Sequence, residues 1–318
     1  MRIAVVGAGA VGGYFGGRLA EAGEEVVFLA RGATLAALRE SGLILEDAAG
    51  SRTLHPVAAT ADPASVGPVE AVVFATKAWQ VEEAARAALP LFGADTFAVP
   101  LLNGIEVPDR IAAVVGRERT LGGLCRIVAE AVAPGRIRHH AFEPTVTFGE
   151  LDDRPSERSQ RLRRVFSAAG VKAQIPESIH AAIWGKALFI VPTSAVGAIA
   201  RATVGEMRAQ PETRRLIEEA TAEIDVLARA RGVPLTDDAV ERTMAFLDSL
   251  DPSATSSMQR DIEAGRPSEL DAQCGAVLRL ARETGVETPV VRMLHAALLP
   301  AELRARGGGR SGPPRAAG

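Results

Sequence analysis

The sequence predicts two domains: an N-terminal doubly wound α/β domain, in which helices pack on a parallel sheet, and a C-terminal all-helical domain. In the first half of the chain, short apolar segments alternate with helical patterns, as strands and helices do around such a sheet. A glycine-rich segment follows the first apolar run, and strand-like segments end near Ile179. We expect the first domain over residues 1–175, the second over 176–305, and a disordered tail over 306–318, which is rich in glycine, proline and arginine.

The composition narrows the class of protein. Of the 318 residues, 47% are apolar and the net charge is −3, so neither nucleic acid nor an acidic membrane surface is an expected partner. The two cysteines, Cys125 and Cys274, lie far apart and form neither a disulfide framework nor a zinc motif. Reduced thiols favour a cytoplasmic location. We expect no signal peptide, and no membrane span, because no run of about eighteen apolar residues occurs.

The elements of the first domain follow from apolar patterning. Strands are predicted at 2–6, 25–29, 71–75 and 96–99, and the helices between them at 11–22, 34–40, 81–89 and 108–115. The strands are apolar on both faces, which is typical of a parallel sheet covered by helices on each side. Residues 43–57 read LILEDAAGSRTLHPV and predict a hairpin that interrupts the alternation.

The glycine-rich segment predicts a dinucleotide site. Gly7, Gly9 and Gly12 spell G-x-G-x-x-G between the first strand and the first helix. The first glycine permits a tight turn, the second lets a pyrophosphate approach the backbone, and the third lets the helix pack close to the strand. The helix N-terminus then offers N–H groups and a partial positive charge to the phosphates. Ala8, Ala10 and Val11 complete the predicted loop, and the domain is therefore expected to be of the Rossmann type.

Arg31 predicts which dinucleotide binds. A site that prefers NAD usually carries Asp or Glu at the end of the second strand, where it binds the ribose hydroxyls. The sequence reads Leu29-Ala30-Arg31 at that position. No carboxylate would repel a 2′-phosphate there, and a guanidinium can hold one. We therefore expect NADP, as NADPH, to be the cofactor.

Two further loops follow predicted strands. Lys77 comes after the third and Asn103 after the fourth, and ligands of open α/β sheets bind at the carboxyl ends of the strands. The adjacent His139 and His140 could suggest a metal, but neighbouring residues on a strand point to opposite faces. We expect no metal site.

Long helical patterns fill the second domain. They are separated by turn-like stretches such as RGVPLT and SLDPSATSS, and they run over 178–199, 204–230, 237–250, 268–284 and 288–305. The pieces are too interdependent to be separate modules, which favours one helical domain.

Six segments in chain order carry a resemblance to one enzyme family. They read GAGAVGGYFGGRLAEAG, LAR, TKAWQV, LLNGIE, WGKALF and SSMQRDIEAGRPSELD. Together they resemble the ketopantoate reductase family, NADPH-dependent enzymes of pantothenate biosynthesis, over nearly the whole chain except the tail. The resemblance implies reduction of 2-dehydropantoate to pantoate, so the expected partner is a small 2-oxo acid.

The resemblance also implies roles for individual residues. Lys186 in WGKALF matches the family's proton donor. Ser257 matches a serine that contacts the substrate carboxylate, and Glu269 matches a glutamate near the nicotinamide and the lysine. Asn103 matches an asparagine that contacts both cofactor and substrate.

Arg31 and Lys77 match family positions near the adenosine phosphate. The implied chemistry is sound, because hydride addition to a ketone leaves an alkoxide that needs a proton and a positive partner, and the ammonium of Lys186 supplies both. A carboxylate such as that of Glu269 can orient the lysine and favour its protonated form.

The substrate side departs from the family pattern. Family members carry asparagines at three positions that read Ile190, Ser194 and Val204 in this chain. Ser194 remains a candidate substrate contact, whereas an aliphatic residue cannot hydrogen-bond a hydroxylated substrate. Pro192 is expected to kink the same helix. These changes leave a second possibility open, that the substrate is a different and less polar 2-oxo acid or ketone.

Two other classes compete. A non-catalytic NADP-binding sensor needs neither Lys186, Ser257 nor Glu269, which all remain. A glycerol-3-phosphate or 3-hydroxy acid dehydrogenase would also pair a glycine-rich domain with helices, but does not explain the SSMQRDIEAGRPSE stretch. The apolar helical domain is compatible with a homodimer.

Overall fold

The computed structural model describes residues 1–307, apart from the side chains of Ala141 and Phe142. The chain divides into two compact units, Met1–Ile183 and the part that begins at Trp184. Strands occur in the first unit: β1 (Arg2–Val6), β2 (Glu25–Leu29), β3 (Leu43–Asp47), β4 (Gly50–Leu54), β5 (Ala58–Thr60), β6 (Val69–Phe74), β7 (Phe92–Pro100), β8 (Leu121–Ala133), β9 (Arg136–Glu150) and β10 (Lys172–Gln174). The helices of this unit are α1 (Ala10–Glu21), α2 (Gly32–Glu40), α3 (Val81–Ala87), α4 (Val107–Val115) and α5 (Glu157–Ala168).

The predicted parallel sheet is confirmed. Five strands lie in the order β5-β2-β1-β6-β7, and their pairs are parallel. β1 is central, with Val5 opposite Phe28 of β2 on one side and Val73 of β6 on the other. These residues belong to one buried cluster that also contains Phe15 of α1. The sheet contains β5, which the sequence analysis did not predict.

A second sheet was missed. The predicted hairpin is confirmed as antiparallel β3 and β4, but it joins β10 and β9 in the order β10-β9-β3-β4, with β8 on the other edge of β9. β8 and β9 pair antiparallel over most of their length. Much of β8 after Cys125 is exposed, so it lacks the continuous apolar run by which the first sheet was recognised. Phe148 and Phe166, of β9 and α5, lie in the same core as β1.

The expected domain boundary falls earlier than the structural one. Helix α6 (Ile179–Ala200) belongs to both units, and the change occurs after Ile183 rather than after residue 175. The reason is local packing, since Ile179 and Ile183 form a buried cluster with Leu124 of β8. By length and composition α6 could cross a membrane, but 67% of its most apolar window is buried inside the protein, as in a core helix. The expectation of no membrane span did not foresee a helix this apolar.

The second unit is helical, as predicted. After α6 come α7 (Val204–Ala209), α8 (Pro211–Ala230), α9 (Ala239–Ser249), α10 (Ser257–Glu263), α11 (Ala276–Thr284) and α12 (Pro289–Ala305). The helix predicted over 204–230 is two helices, because Pro211 starts a new one at its first turn. α10 was not predicted, and a π-helical turn, Asp271–Gly275, precedes α11.

The predicted tail begins too early. α12 ends at Ala305, but Arg306 still donates hydrogen bonds to the Glu302 carboxylate and to the Ser268 carbonyl oxygen. Arg306 is therefore held by the helical unit. Residues 308–318 of the predicted tail lie outside the described residues.

Candidate cofactor and active site

The candidate residues of the first unit follow the carboxyl ends of four adjacent parallel strands. The glycine loop follows β1, Arg31 follows β2, Lys77 follows β6 and Asn103 follows β7. Backbone hydrogen bonds continue past the strand ends: the Ala75 N–H donates to Val6 at 2.9 Å. All four loops therefore share the edge where open α/β sheets bind ligands.

Each of the three motif glycines is required, or allowed, for a different steric reason. Gly7 has φ of +101°, and a Cβ there would lie 2.8 Å from the Ala75 carbonyl oxygen. A Cβ on Gly12 would lie 1.9 Å from the Gly7 carbonyl oxygen, so only glycine lets α1 begin this close to β1. A Cβ on Gly9 would meet nothing within 4 Å. The space next to Gly9 is thus open for a ligand to approach the backbone.

The start of α1 is suited to an anion. Gly9 is the exposed N-cap residue and no acidic residue lies in the first turn. Ala10 and Val11 are partly exposed, whereas Ala8 is only 6% exposed and can reach a ligand through its backbone alone. First-turn N–H groups together with the helix dipole bind phosphates, so these residues fit a dinucleotide pyrophosphate.

Thr76 is a cofactor candidate that sequence reasoning missed. Its buried Oγ1 has no hydrogen-bond partner among the described residues, and its backbone N would lie 3.1 Å from a Cβ on Gly7. A buried hydroxyl without a partner costs free energy, which a ligand on the glycine loop could offset. The only feature of the sequence that could have indicated Thr76 was its position directly before Lys77.

Arg31 lies at the N-cap of α2 and is exposed. Its Nη1 lies 3.6 Å from Oε1 of Glu83, and both side chains are more than 70% exposed. Such a surface ion pair contributes little free energy, so it would not prevent the guanidinium from binding a phosphate instead. The exposed Lys77 places its Nζ 5.7 Å from the ring centre of Trp79. Both cations remain accessible on the same sheet edge.

Asn103 is partly buried in the loop after β7, followed by Gly104 at φ of +127°. Leu101, two residues earlier, accepts a hydrogen bond from the Cys125 thiol of β8 at 3.3 Å. Buried contacts of this kind hold the loop beside β8.

In the second unit, Lys186 is half-buried on α6. Six residues later, Pro192 lies inside the helix, which continues to Ala200. Pro192 has no N–H to donate to the carbonyl of Leu188, and the hydroxyl of Thr221 on α8 lies 3.1 Å from that oxygen. The Thr221 hydroxyl thus takes the place of the backbone hydrogen bond that Pro192 removes from the helix that carries Lys186.

Ser257 is the first residue of α10 and is exposed. Its neighbour Ser256 is the N-cap, whose hydroxyl accepts a hydrogen bond from the Gln259 N–H at 3.0 Å. The structure therefore uses one serine of the SSM motif as a cap and leaves the other at the surface, where a ligand can reach it.

Glu269 is 6% exposed, and a buried network fixes the residue before it. The Ser268 N–H donates to Glu302 Oε2 at 3.0 Å, and the Ser268 hydroxyl also donates to this carboxylate. Arg306 closes the network by donating to both residues. Glu302 and Arg306 lie more than thirty residues away, and no pattern in the sequence indicated that they hold Ser268, the residue before Glu269.

The three positions that depart from the family differ in access. Ile190 is partly exposed, but Val204 is 3% exposed and Ser194 is fully buried. The Ser194 hydroxyl has no partner among residues 1–307. Of the three, Ile190 is therefore the position best placed to face a ligand.

Within residues 1–307, no group of three His, Cys, Asp or Glu side chains could hold a metal ion. The two adjacent histidines have separate neighbours: the ring of His139 lies 5.0 Å from that of Tyr14, and His140 lies 3.9 Å from Glu130. His139 thus lies against helix α1, whereas His140 lies near the neighbouring strand β8.

The chain matches a known protein family over most of its length. The family model described as ketopantoate reductase PanE/ApbA matches residues 3–153, and its C-terminal counterpart matches 178–302. A curated relative, the 2-dehydropantoate 2-reductase of Mesorhizobium japonicum, is 31% identical over 92% of this chain and 94% of its own length.

Solved structures show the same fold. The 2-dehydropantoate 2-reductase of Geobacter metallireducens GS-15 superposes with a TM-score of 0.89 and 29% identity, over 95% of this chain and all of the other. A D-mandelate dehydrogenase in complex with NADH superposes with a TM-score of 0.85 and 25% identity, over 95% and 99% of the two chains. Both halves of this chain match, and the protein belongs to the ketopantoate reductase family of nicotinamide-dependent oxidoreductases.

Proposed function

We propose that this protein reduces 2-dehydropantoate to pantoate with NADPH, as a step of pantothenate biosynthesis. The observation that carries the proposal is the sheet edge of the first unit. There an open glycine loop at Gly9 and the accessible cation Arg31 follow adjacent strands, and no acidic residue occupies the end of β2. The positive charge of Arg31 favours a cofactor that carries a 2′-phosphate, which NADPH has and NADH lacks.

NADPH, when bound, supplies a hydride to the carbonyl carbon of the substrate. The residues of the chain provide the rest. Asn103, after β7, donates hydrogen bonds beside the nicotinamide, and Ser257 donates to the substrate carboxylate. Lys186 stabilises the developing alkoxide and transfers a proton to that oxygen, and Glu269 keeps the ammonium oriented.

A second substrate has a specific observation in its favour. Ile190, where the family has an amide, remains partly exposed on the helix that carries Lys186. An aliphatic side chain there favours a 2-oxo acid or ketone that is less polar than 2-dehydropantoate, since a buried polar group of the substrate would lose a hydrogen-bond partner.

The location and assembly follow the same reasoning. Cys125 and Cys274 are both buried thiols that form no disulfide, which fits a cytoplasmic protein. A homodimer is proposed from the helical unit, where large apolar side chains such as Val226, Phe246 and Met293 are 40–55% exposed.

The test is NADPH oxidation by the purified protein over a panel of 2-oxo acids that includes 2-dehydropantoate and less polar analogues. We expect 2-dehydropantoate to be reduced with a raised KM. Faster turnover of a less polar acid would favour the second substrate. Tight NADPH binding with no turnover of any member would contradict both and leave a sensor.

A further inference from the structure

Arg126 lies on β8 beside the loop that carries Asn103. β8 begins next to β7, where Thr120 bridges to Ala98 in parallel, and then runs past the carboxyl end of β7. A Cβ on Gly123 would lie 2.4 Å from the Pro100 carbonyl oxygen, and the Cys125 thiol donates to Leu101. The next residue, Arg126, therefore reaches the same sheet edge as the candidate cofactor residues.

The face of β8 that carries Arg126 is not the core face. Cys125 and Ile127 pack in the core of the first unit, so Arg126 lies on the opposite face with Leu124. Leu124 packs on Ile179 and Ile183, the first turns of the helix that later carries Lys186.

The strand is also irregular at this point. Arg126 is opposite Thr145, whereas Val128 is opposite His140, so the register between β8 and β9 shifts next to the arginine. Such irregularities re-aim side chains and are frequent beside active sites.

The charge of Arg126 is not balanced. Among residues 1–307 it has neither a hydrogen bond nor an ion pair, and no carboxylate influences it. The Arg126 side chain is exposed to solvent, and the protein on its other sides lowers its pKa by desolvation.

Other arginines of this sheet differ, since Arg136 and Arg138 both pair with Glu46. An arginine stays charged in proteins, so partial desolvation without a counter-ion has a cost that a bound anion would offset.

The position of Arg126 distinguishes between the available anions. The 2′-phosphate is assigned to Arg31 after β2 and the pyrophosphate to α1 after β1, whereas Arg126 lies beyond β7, at the other end of the order β2-β1-β6-β7. The anion that remains is that of the substrate. Resting on the proposed function, we propose that Arg126 binds the carboxylate of the 2-oxo acid, with the two-pronged geometry that guanidinium and carboxylate share.

The test compares Arg126→Met with Arg126→Lys and with the matched control Arg138→Met, each assayed on 2-dehydropantoate and on its uncharged methyl ester. We expect Arg126→Met to raise the KM for the acid about 10- to 100-fold, the loss of a charged hydrogen bond, and to leave the ester unchanged. Arg126→Lys should recover part of this loss, the control should change neither substrate, and NADPH affinity should stay the same. An equal change for acid and ester, no change for either, or a loss of NADPH affinity instead would overturn the assignment.

Failure of the proposed function is measured separately. If the unaltered protein reduces no 2-oxo acid, oxamate binding to the NADP-loaded protein is followed by calorimetry. Loss of oxamate binding in Arg126→Met alone would still support a carboxylate site. Equal binding by both forms, or none by the unaltered protein, would overturn it.

Discussion

The hydroxyl of Thr221 lies 3.1 Å from the carbonyl oxygen of Leu188, the carbonyl that Pro192 leaves without its helical donor. The same hydroxyl is 2.7 Å from the Ile217 carbonyl oxygen, four residues earlier in α8. That second oxygen already receives the helical N–H of Thr221. The hydroxyl proton is therefore needed at Leu188, where both residues are almost fully buried.

Thr221→Val should destabilise the protein by about 1–3 kcal/mol, because it leaves a buried carbonyl without a donor. Thr221→Ser, which keeps the hydroxyl, is the control, and denaturant unfolding is the measurement. In a Pro192→Ala background, an N–H becomes available to Leu188, and the cost of Thr221→Val should shrink. An undiminished cost in that background would show that the hydroxyl acts elsewhere.

Arg31→Ala should weaken NADPH binding by about 1.5–3 kcal/mol and leave NADH binding nearly unchanged, since only NADPH carries the 2′-phosphate. Titration of NADPH fluorescence measures both constants. Glu83→Gln is the matched control, because it removes the exposed partner of Arg31 but keeps the guanidinium. Equal affinities of the unaltered protein for the two cofactors would contradict the predicted preference.

Lys186→Ala should lower turnover by about 10²- to 10⁴-fold, the usual contribution of a positioned general acid, while NADPH still binds. Stopped-flow turnover and a cofactor titration of the same preparation separate the two effects. A variant that kept more than half of its turnover would assign the proton to another group.

Ile190→Asn should lower the KM for 2-dehydropantoate if the protein is a weakened ketopantoate reductase, because the amide restores a contact made in the ground state and the transition state alike. With a less polar natural substrate, the same change should instead cost about 1–3 kcal/mol in kcat/KM by leaving an amide unpaired. Steady-state kinetics of both forms on both substrates distinguish the two cases.

The stability of the second unit should fall as pH rises from about 9. Burial raises the pKa of the Cys274 thiol to about 12, from 9.0 when exposed. Between these values the unfolded chain releases a proton that the folded chain keeps, so unfolding becomes easier by up to about 1.4 kcal/mol per pH unit. Cys274→Ala should show a shallower decline of unfolding free energy over pH 9–11, and parallel slopes for the two proteins would exclude this cause.

Local patterns in the sequence determined the parallel sheet and the residues on its carboxyl edge. The apolar runs of β1, β2, β6 and β7 indicate strands that are buried on both faces. Of the glycines after β1, Gly7 and Gly12 are required because a Cβ there would clash with a few nearby backbone atoms. Arg31, Lys77 and Asn103 could be placed from the sequence because the carboxyl ends of parallel strands lie at one edge of the sheet. The residues of the SSM motif were recognised by resemblance, and their roles stay predictions.

Only the tertiary structure decided which polar groups have partners. Thr221 meets Leu188, Glu302 meets Ser268, and Arg126 meets no carboxylate among the described residues, and each of these relations depends on residues far apart along the chain. The second sheet escaped notice for a related reason, since β8 and β9 stabilise each other by backbone pairing while much of β8 faces solvent. The periodicity of apolar residues indicates how a segment is buried. The partner of a buried hydroxyl or of a desolvated charge depends instead on the folded chain as a whole.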